Sequence, residues 1–287
     1  MKNIGFIGLG WMGLGMCKTL VRAKYNLTVF DVVKKPMDEI EAYAVEHQAP
    51  AVRKAESVKE VAENSDFIDL VVRNEDQYRE IIEGKDGLLE NVKPGTYIVI
   101  HGTVTVGFVQ EMYRKGREKG VVIVDGPITG QKREEGEITV MLGSTEEEYE
   151  YIKSVIYPMG RILRIGESGA GMVAKLVNNM MATVHTGILA EALIFGEKMG
   201  VPKEALLEQL NNPESSGYSW SVSHWNALEQ MTKIFIETNG GPAALTFKDL
   251  GIALQSAHQI DPRFALPLTS AVFGADIGRL PPSCLAK

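Results

Sequence analysis

The run Gly8-Leu9-Gly10-Trp11-Met12-Gly13 follows a short apolar segment, residues 3–7, and opens a helical pattern over residues 11–23. Three glycines at this spacing between a strand and a helix constrain the chain strongly, because each answers a different steric demand. Gly8 permits the tight turn out of the strand, Gly10 lets the backbone come close to a pyrophosphate, and Gly13 lets the helix lie against the sheet. The helix N-terminus, with Trp11 and Met12 in its first turn, then presents backbone N–H groups and the positive end of its dipole to the phosphate charge. Asp31 ends the next strand, residues 27–30, about twenty residues beyond the glycines. A carboxylate there accepts hydrogen bonds from ribose hydroxyls and repels a 2′-phosphate, so the expected cofactor is NAD. NADP stays open, because Lys34 and Lys35 follow closely and soften that repulsion.

The rest of the chain fits this start. Residues 67–72, 97–100 and 121–124 read as further strands, residues 161–165 as strand-like, and residues 57–64, 77–82, 107–119 and 145–157 as helices. Strands separated by helices imply a parallel, doubly wound sheet of Rossmann type. Beyond Gly166 the β pattern almost vanishes and apolar-periodic segments take over, at residues 169–199, 203–210, 220–232 and 245–258. The expectation is α/β: a nucleotide-binding domain over residues 1–166, then an all-α substrate and dimerisation domain over 167–287, entered by a long interdomain helix. Its apolar length also suggests association of the chain into a homodimer or homotetramer.

Charge and cysteine usage exclude other classes. Thirty Lys and Arg against 37 Asp and Glu leave a formal net charge of -7, with no block of like charges to track a nucleic acid. Every apolar stretch is broken by Gly or a charge before it reaches membrane-spanning length, so no membrane partner is expected. Cys17 and Cys284 lie at opposite ends without CxxC spacing, which argues against a disulfide framework or zinc site and for a cytoplasmic setting. The histidines, His47, His101, His185, His224 and His258, are scattered, and no metal site is expected.

On the long helix, Lys175 stands three and four residues before Asn178 and Asn179, which puts the three on one face. The cluster follows a glycine-rich turn at the domain junction, where α/β enzymes commonly close a cleft over the cofactor. Four motifs now stand in order: Gly8-x-Gly10-x-Met12-Gly13-x-Gly15-Met16, Asp125-Gly126-Pro127-Ile128-Thr129-Gly130, Gly169-x-Gly171-x-x-x-Lys175-x-x-Asn178-Asn179 and Lys248-Asp249-Leu250. Together they resemble the β-hydroxyacid dehydrogenase family, over nearly the whole chain.

The resemblance implies an oxidoreductase that moves a hydride between a nicotinamide cofactor and a small 3-hydroxy acid or its semialdehyde, with related 4-hydroxybutyrate- or sulfolactaldehyde-type substrates as alternatives. It makes Lys175 the acid/base, and assigns a small carboxylated substrate to Thr129, Gly130, Gln131, Asn178 and Asn179. It gives the cofactor Gly8, Gly10, Trp11, Met12, Gly13, Asp31, Val72, Arg73, Thr103 and Lys248. Lysine chemistry suits the task, since reducing a carbonyl creates an alkoxide that must gain a proton. Several positions depart from the family pattern. Gln131 stands for a glycine and is followed by the basic pair Lys132-Arg133, Gly102 stands for a serine, Ile100 for an aspartate, and Val72-Arg73 for Leu-Pro. Leu280-Pro281-Pro282 breaks any helix near the C-terminus. Two other readings compete: an imine reductase, which typically lacks the lysine, and a dinucleotide-binding protein without catalysis.

Overall fold

A computed structural model of the chain describes residues 2–226, 228, 243–263 and 265–274. The first half alternates strands and helices: β1 Asn3–Ile7, α1 Trp11–Arg22, β2 Asn26–Phe30, α2 Lys34–Glu46, β3 Arg53–Lys54, α3 Val58–Glu63, β4 Phe67–Leu70, α4 Glu75–Glu83, α5 Leu88–Asn91, β5 Tyr97–Ile100, α6 Val106–Glu118 and β6 Val122–Asp125. β4 and β6 are buried at every position and β1 at all but its first, as strands covered by helices on both faces must be. Ser57, Asn74 and Thr105 each accept a hydrogen bond from the backbone N–H three residues on, and so start α3, α4 and α6.

The parallel strands lie in the order β3-β2-β1-β4-β5-β6. Succession runs one way from β1 through β2 and the other way from β4 onward. The crevice this leaves at the carboxyl ends of β1 and β4 is where open α/β sheets take ligands. The parallel arrangement expected from the strand–helix alternation ends at β6. Next come β7 Ile128–Thr129, β8 Ile138–Gly143, α7 Glu146–Ile156 and β9 Gly160–Gly166; β8 runs antiparallel to β6 and β7, and β9 parallel to β8. No helix separates β6 from β8, so the chain turns back where a parallel neighbour would need a long crossover. Helix α7 opens with a reciprocal cap between Thr145 and Glu148.

The chain divides into two compact units, Met1–Lys175 and Leu176–Lys287. In the first, Ile4, Phe6, Val29, Phe67, Val99, Val124 and Leu142 of the sheet pack with Met16 and Leu20 of α1, Ile40 of α2 and Ile152 of α7. The second takes up helix α8 Ala170–Lys198 after Lys175 and continues with α9 Lys203–Leu210, α10 Trp220–Ser223, α11 Ala243–Ile260 and α12 Pro267–Gly274. Leu189, Ala190 and Leu193 of α8 pack there with Val222 and Trp225. The later part of the helix expected at 220–232, the Leu280-Pro281-Pro282 break and Cys284 lie outside the described residues. Among the described residues, no helix is long and apolar enough to cross a membrane.

Candidate active site

At the carboxyl end of β1 the glycines do what their spacing requires. Gly8 has φ +93°, and a Cβ there would stand 2.0 Å from the Val71 carbonyl oxygen. A Cβ on Gly13 would stand 2.0 Å from the Gly8 oxygen, so α1 reaches its place against the loop only with glycine. Gly10 faces open space, with nothing within 4 Å of its built Cβ position, and as N-cap of α1 it supplies no side-chain acceptor. The first N–H groups of α1, at Trp11, Met12 and Gly13, therefore point to where an anion would sit. Asp31 does more than wait for a ribose: its Oδ2 accepts from Leu9 N at 2.6 Å and its Oδ1 from Val33 N at 2.8 Å. It thereby ties the end of β2 to the glycine loop, and each oxygen retains a lone pair for a ligand hydroxyl. These residues fit a dinucleotide.

Across the crevice, Val72 and Arg73 follow β4, and Thr103 follows β5 with its side chain buried. Arg73 N donates to Gln77 Oε1 at 3.0 Å, which shapes the loop. Beneath them lies a pair that sequence reasoning missed. His101 and Asp69 are fully buried, His101 Nε2 lies 2.8 Å from Asp69 Oδ1, and His101 Nδ1 lies 2.7 Å from the Gly126 carbonyl oxygen. A carbonyl only accepts, so Nδ1 carries a proton, and the imidazole joins β4, its own loop after β5, and the loop after β6. Burial pushes the Asp69 carboxyl up, against the opposing pull of His101. An aspartate inside a β4 of otherwise apolar residues, Phe67, Ile68 and Leu70, was the available signal.

The loop after β6 carries the expected substrate residues. Thr129 lies in β7 opposite Thr139, Gly130 has φ +110°, and Gln131 is exposed. The basic pair beyond is held by the protein itself. Lys132 Nζ lies 2.8 Å from Glu137, while Arg133 Nε donates to the Trp11 carbonyl at 2.6 Å and its guanidinium lies 3.8 Å from the centre of the exposed Trp11 ring. Lys18 of α1 pairs with Glu134, and a Cβ on Gly15 would meet Arg133 Cγ at 2.4 Å. The segment after Gly130 is thus fastened along α1.

Asp125, the last residue of β6, fixes the start of α8. Its Oδ1 accepts from Gly169 N at 2.8 Å and its Oδ2 from Met172 N at 2.7 Å. The approach is close enough that a Cβ on Gly171 would stand 2.1 Å from the Met141 carbonyl oxygen and 2.9 Å from Asp125 Oδ2. Burial raises the Asp125 carboxyl to about 6, opposed by the backbone N–H groups of Gly169 and Met172. Lys175, partly buried, comes one turn after Gly171 on the same helix. In the second unit, Asn178 Nδ2 donates to Asn179 Oδ1 at 2.9 Å, Asn179 Nδ2 donates to Asp249 Oδ2, and Lys248 Nζ lies 3.2 Å from Asp249 Oδ1. Asp249 sits inside α11, so it holds Lys248 by charge and does not cap a helix. The glycine loop, Asp31, Val72, Arg73, Thr103, the residues at 129–131 and Lys175 belong to the first unit; Asn178, Asn179 and Lys248 belong to the second. Among the described residues, no group of three His, Cys, Asp or Glu side chains could hold a metal ion.

Comparison with known proteins gives this arrangement its place. Residues 3–186 match the family model described as the NAD binding domain of 6-phosphogluconate dehydrogenase, and residues 169–275 that described as NAD-binding of NADP-dependent 3-hydroxyisobutyrate dehydrogenase. The chain is 33% identical to the 2-(hydroxymethyl)glutarate dehydrogenase of Eubacterium barkeri, over 93% of this chain and 86% of that protein. It is 29% identical to the L-threonate dehydrogenase of Cupriavidus necator, over 94% of this chain and 88% of that protein. Among solved structures, Mycobacterium tuberculosis 3-hydroxyisobutyrate dehydrogenase with L-serine superposes with a TM-score of 0.77 at 25% identity, covering 95% of this chain and 91% of that one. The chain belongs to the β-hydroxyacid dehydrogenase family of NAD(P)-dependent oxidoreductases.

Proposed function

We propose that the chain interconverts a small 3-hydroxy acid, or a related carboxylated alcohol, with its semialdehyde, using NAD in preference to NADP and Lys175 as general acid/base. Asp125 carries this reading: its carboxylate caps α8 directly from the strand end that leads into the Thr129–Gly130 loop, so the helix bearing Lys175 is held to that loop's base. When bound, the nicotinamide supplies or accepts the hydride. Lys175 donates a proton to the alkoxide oxygen in reduction and removes it in oxidation. The Thr129 hydroxyl and the N–H groups around Gly130 receive the substrate carboxylate, with Gln131 narrowing or extending that end of the pocket. Asn179, oriented by Asp249 and Asn178, offers an amide to the substrate, and Lys248 serves the cofactor from the helical part.

The glycine loop with Trp11 and Met12 holds the pyrophosphate, Asp31 the adenosine ribose, and Val72, Arg73 and Thr103 the nicotinamide side. The division follows residues 1–166 as the nucleotide-binding domain, which also supplies the Thr129–Gly130 loop to the substrate, and 167–287 as the helical domain of substrate contacts and association. Val177, Met181, Ile188 and Phe195 of α8 are exposed and fall on one stripe at helical spacing, which supports a homodimer or homotetramer. The acids named for the relatives, threonate and 2-(hydroxymethyl)glutarate, belong to the substrate class to try first. A cytoplasmic setting accords with the two distant cysteines.

The test is oxidation of NADH and of NADPH by the purified protein against the semialdehydes of methylmalonate, tartronate and succinate and against sulfolactaldehyde. Turnover with NADH at a rate well above that with NADPH is expected for at least one. Turnover with NADPH alone would overturn the role given to Asp31, and silence with every aldehyde would overturn the substrate class.

A further inference from the structure

Tyr78 plays no part in the chemistry above, yet its hydroxyl stands where two crevice loops meet. The side chain comes from α4, is fully buried, and makes three hydrogen bonds through one oxygen. It donates to the Leu70 carbonyl at 3.2 Å, and accepts from Val72 N at 3.2 Å and from Gly102 N at 2.6 Å. A phenol has one proton and a carbonyl can only accept, so the directions are fixed: the proton goes to Leu70 and the lone pairs receive the two amides. Burial pushes the phenol far above its ordinary range, so the hydroxyl keeps that proton at every pH at which the fold is handled.

Position 102 is built around this oxygen. A Cβ on Gly102 would stand 2.3 Å from the Tyr78 hydroxyl and 2.7 Å from the Val72 carbonyl oxygen. Glycine at 102 and tyrosine at 78 are therefore steric partners: the loop after β5 gives up a side chain, and a hydroxyl from α4 occupies the space. Leu70 ends β4, Val72 lies in the loop after it, and Gly102 stands between buried His101 and buried Thr103. One oxygen thus cross-links the two strand ends on the side of the crevice opposite the glycine loop and Asp31.

We propose that Tyr78 is a positioning residue for the nicotinamide half of the dinucleotide. The inference rests on the cofactor reading above, in which a dinucleotide spans the point where strand order reverses, with its adenosine half over β1 and β2 and its other half over β4 and β5. The Tyr78 hydroxyl holds the Val72 and Gly102 amides in one geometry and so sets the surface on which the nicotinamide and its ribose lie. The adenosine half is held by groups that Tyr78 does not touch.

The two halves can be tested separately, by titrating the full-length protein with NADH and with ADP, which lacks both the nicotinamide and its ribose. In Tyr78→Phe, which removes only the hydroxyl, the Kd for NADH is expected to rise by about 3- to 10-fold while that for ADP stays within about twofold. Gly102→Ala, which presses a methyl group into the same oxygen, is expected to show the same selective loss, and decides the matter if Tyr78→Phe does not fold. Equal weakening of both ligands would mean general damage and overturn the proposal. NADH binding unchanged beside a wild type that binds it would overturn this proposal alone, whereas a wild type that binds neither ligand would overturn the cofactor reading and this inference with it.

Discussion

Substituting Asp125 by Asn keeps the shape of the side chain and removes its charge, at the point where β6 hands the chain's geometry to α8. The carboxylate accepts from Gly169 N at 2.8 Å and Met172 N at 2.7 Å, both buried. An amide has one oxygen for these two donors, so one N–H loses its acceptor and faces an NH2 group. A buried donor left unmatched costs about 1–3 kcal/mol, partly offset because the amide carries no buried charge to desolvate. Asp125→Asn is therefore expected to be less stable by about 1 kcal/mol at neutral pH, a fall in Tm of a few degrees. The pH dependence gives a sharper check. Burial puts the folded-state pKa at about 6, above the unfolded value of 3.8. A raised carboxyl contributes stability that is full below the unfolded pKa and is lost as pH rises through the folded one. Between about pH 5 and pH 7.5 the wild type should then lose roughly 1 kcal/mol from this group. Thermal unfolding followed by circular dichroism across that window should show a smaller decline in Asp125→Asn than in the wild type. An unchanged pH slope in the variant, or an unchanged Tm at neutral pH, would refute the reasoning.

Two further outcomes follow from buried and exposed groups. His101→Leu leaves Asp69 in the core without its partner and frees the Gly126 carbonyl, so urea unfolding should show a loss of about 3–5 kcal/mol, much of it recovered in Asp69→Leu/His101→Leu; no recovery would contradict a paired role. Ile188→Glu places a charge in the exposed stripe of α8, and light scattering should show a shift from dimer or tetramer toward monomer with the secondary structure intact; an unshifted mass would place association elsewhere.

The geometry of the glycine loop was legible in the residues, because glycine spacing and the carboxylate after β2 answer steric and electrostatic demands that are local in sequence. Gly8 and Gly13 are tied to neighbouring backbone within 2.0 Å of a Cβ position, as the motif requires. The missing parts depend on residues far apart in the chain. Helix α2 was obscured by Lys34-Lys35-Pro36 at its start, although a proline in the first turn costs no hydrogen bond and Met37, Ile40 and Ala44 form its buried face. Strand β8 is buried on both faces and so shows no alternation, and its antiparallel direction follows from the hairpin through β7. The departure at Gly102 looked like a loss until Tyr78, 24 positions earlier, filled the space. The Asp69–His101 pair spans 32 positions, and only the pairing of β4 with β5 brings it together. Lys132 and Arg133, a departure in the sequence, are engaged by Glu137 and Trp11, and the Arg133 contact spans 122 positions.

The central claim, that a cofactor-binding sheet presents Lys175 as the proton-transferring group of a hydroxy-acid dehydrogenase, is tested most directly by comparing wild type and Lys175→Ala in two assays on the same preparations. One follows NADH binding by fluorescence and the other NADH-dependent reduction of the best semialdehyde at saturating substrate. Loss of the proton donor should lower kcat by about 10²- to 10⁴-fold while the Kd for NADH moves by less than about twofold. A variant that turns over within a few-fold of the wild type would contradict the account.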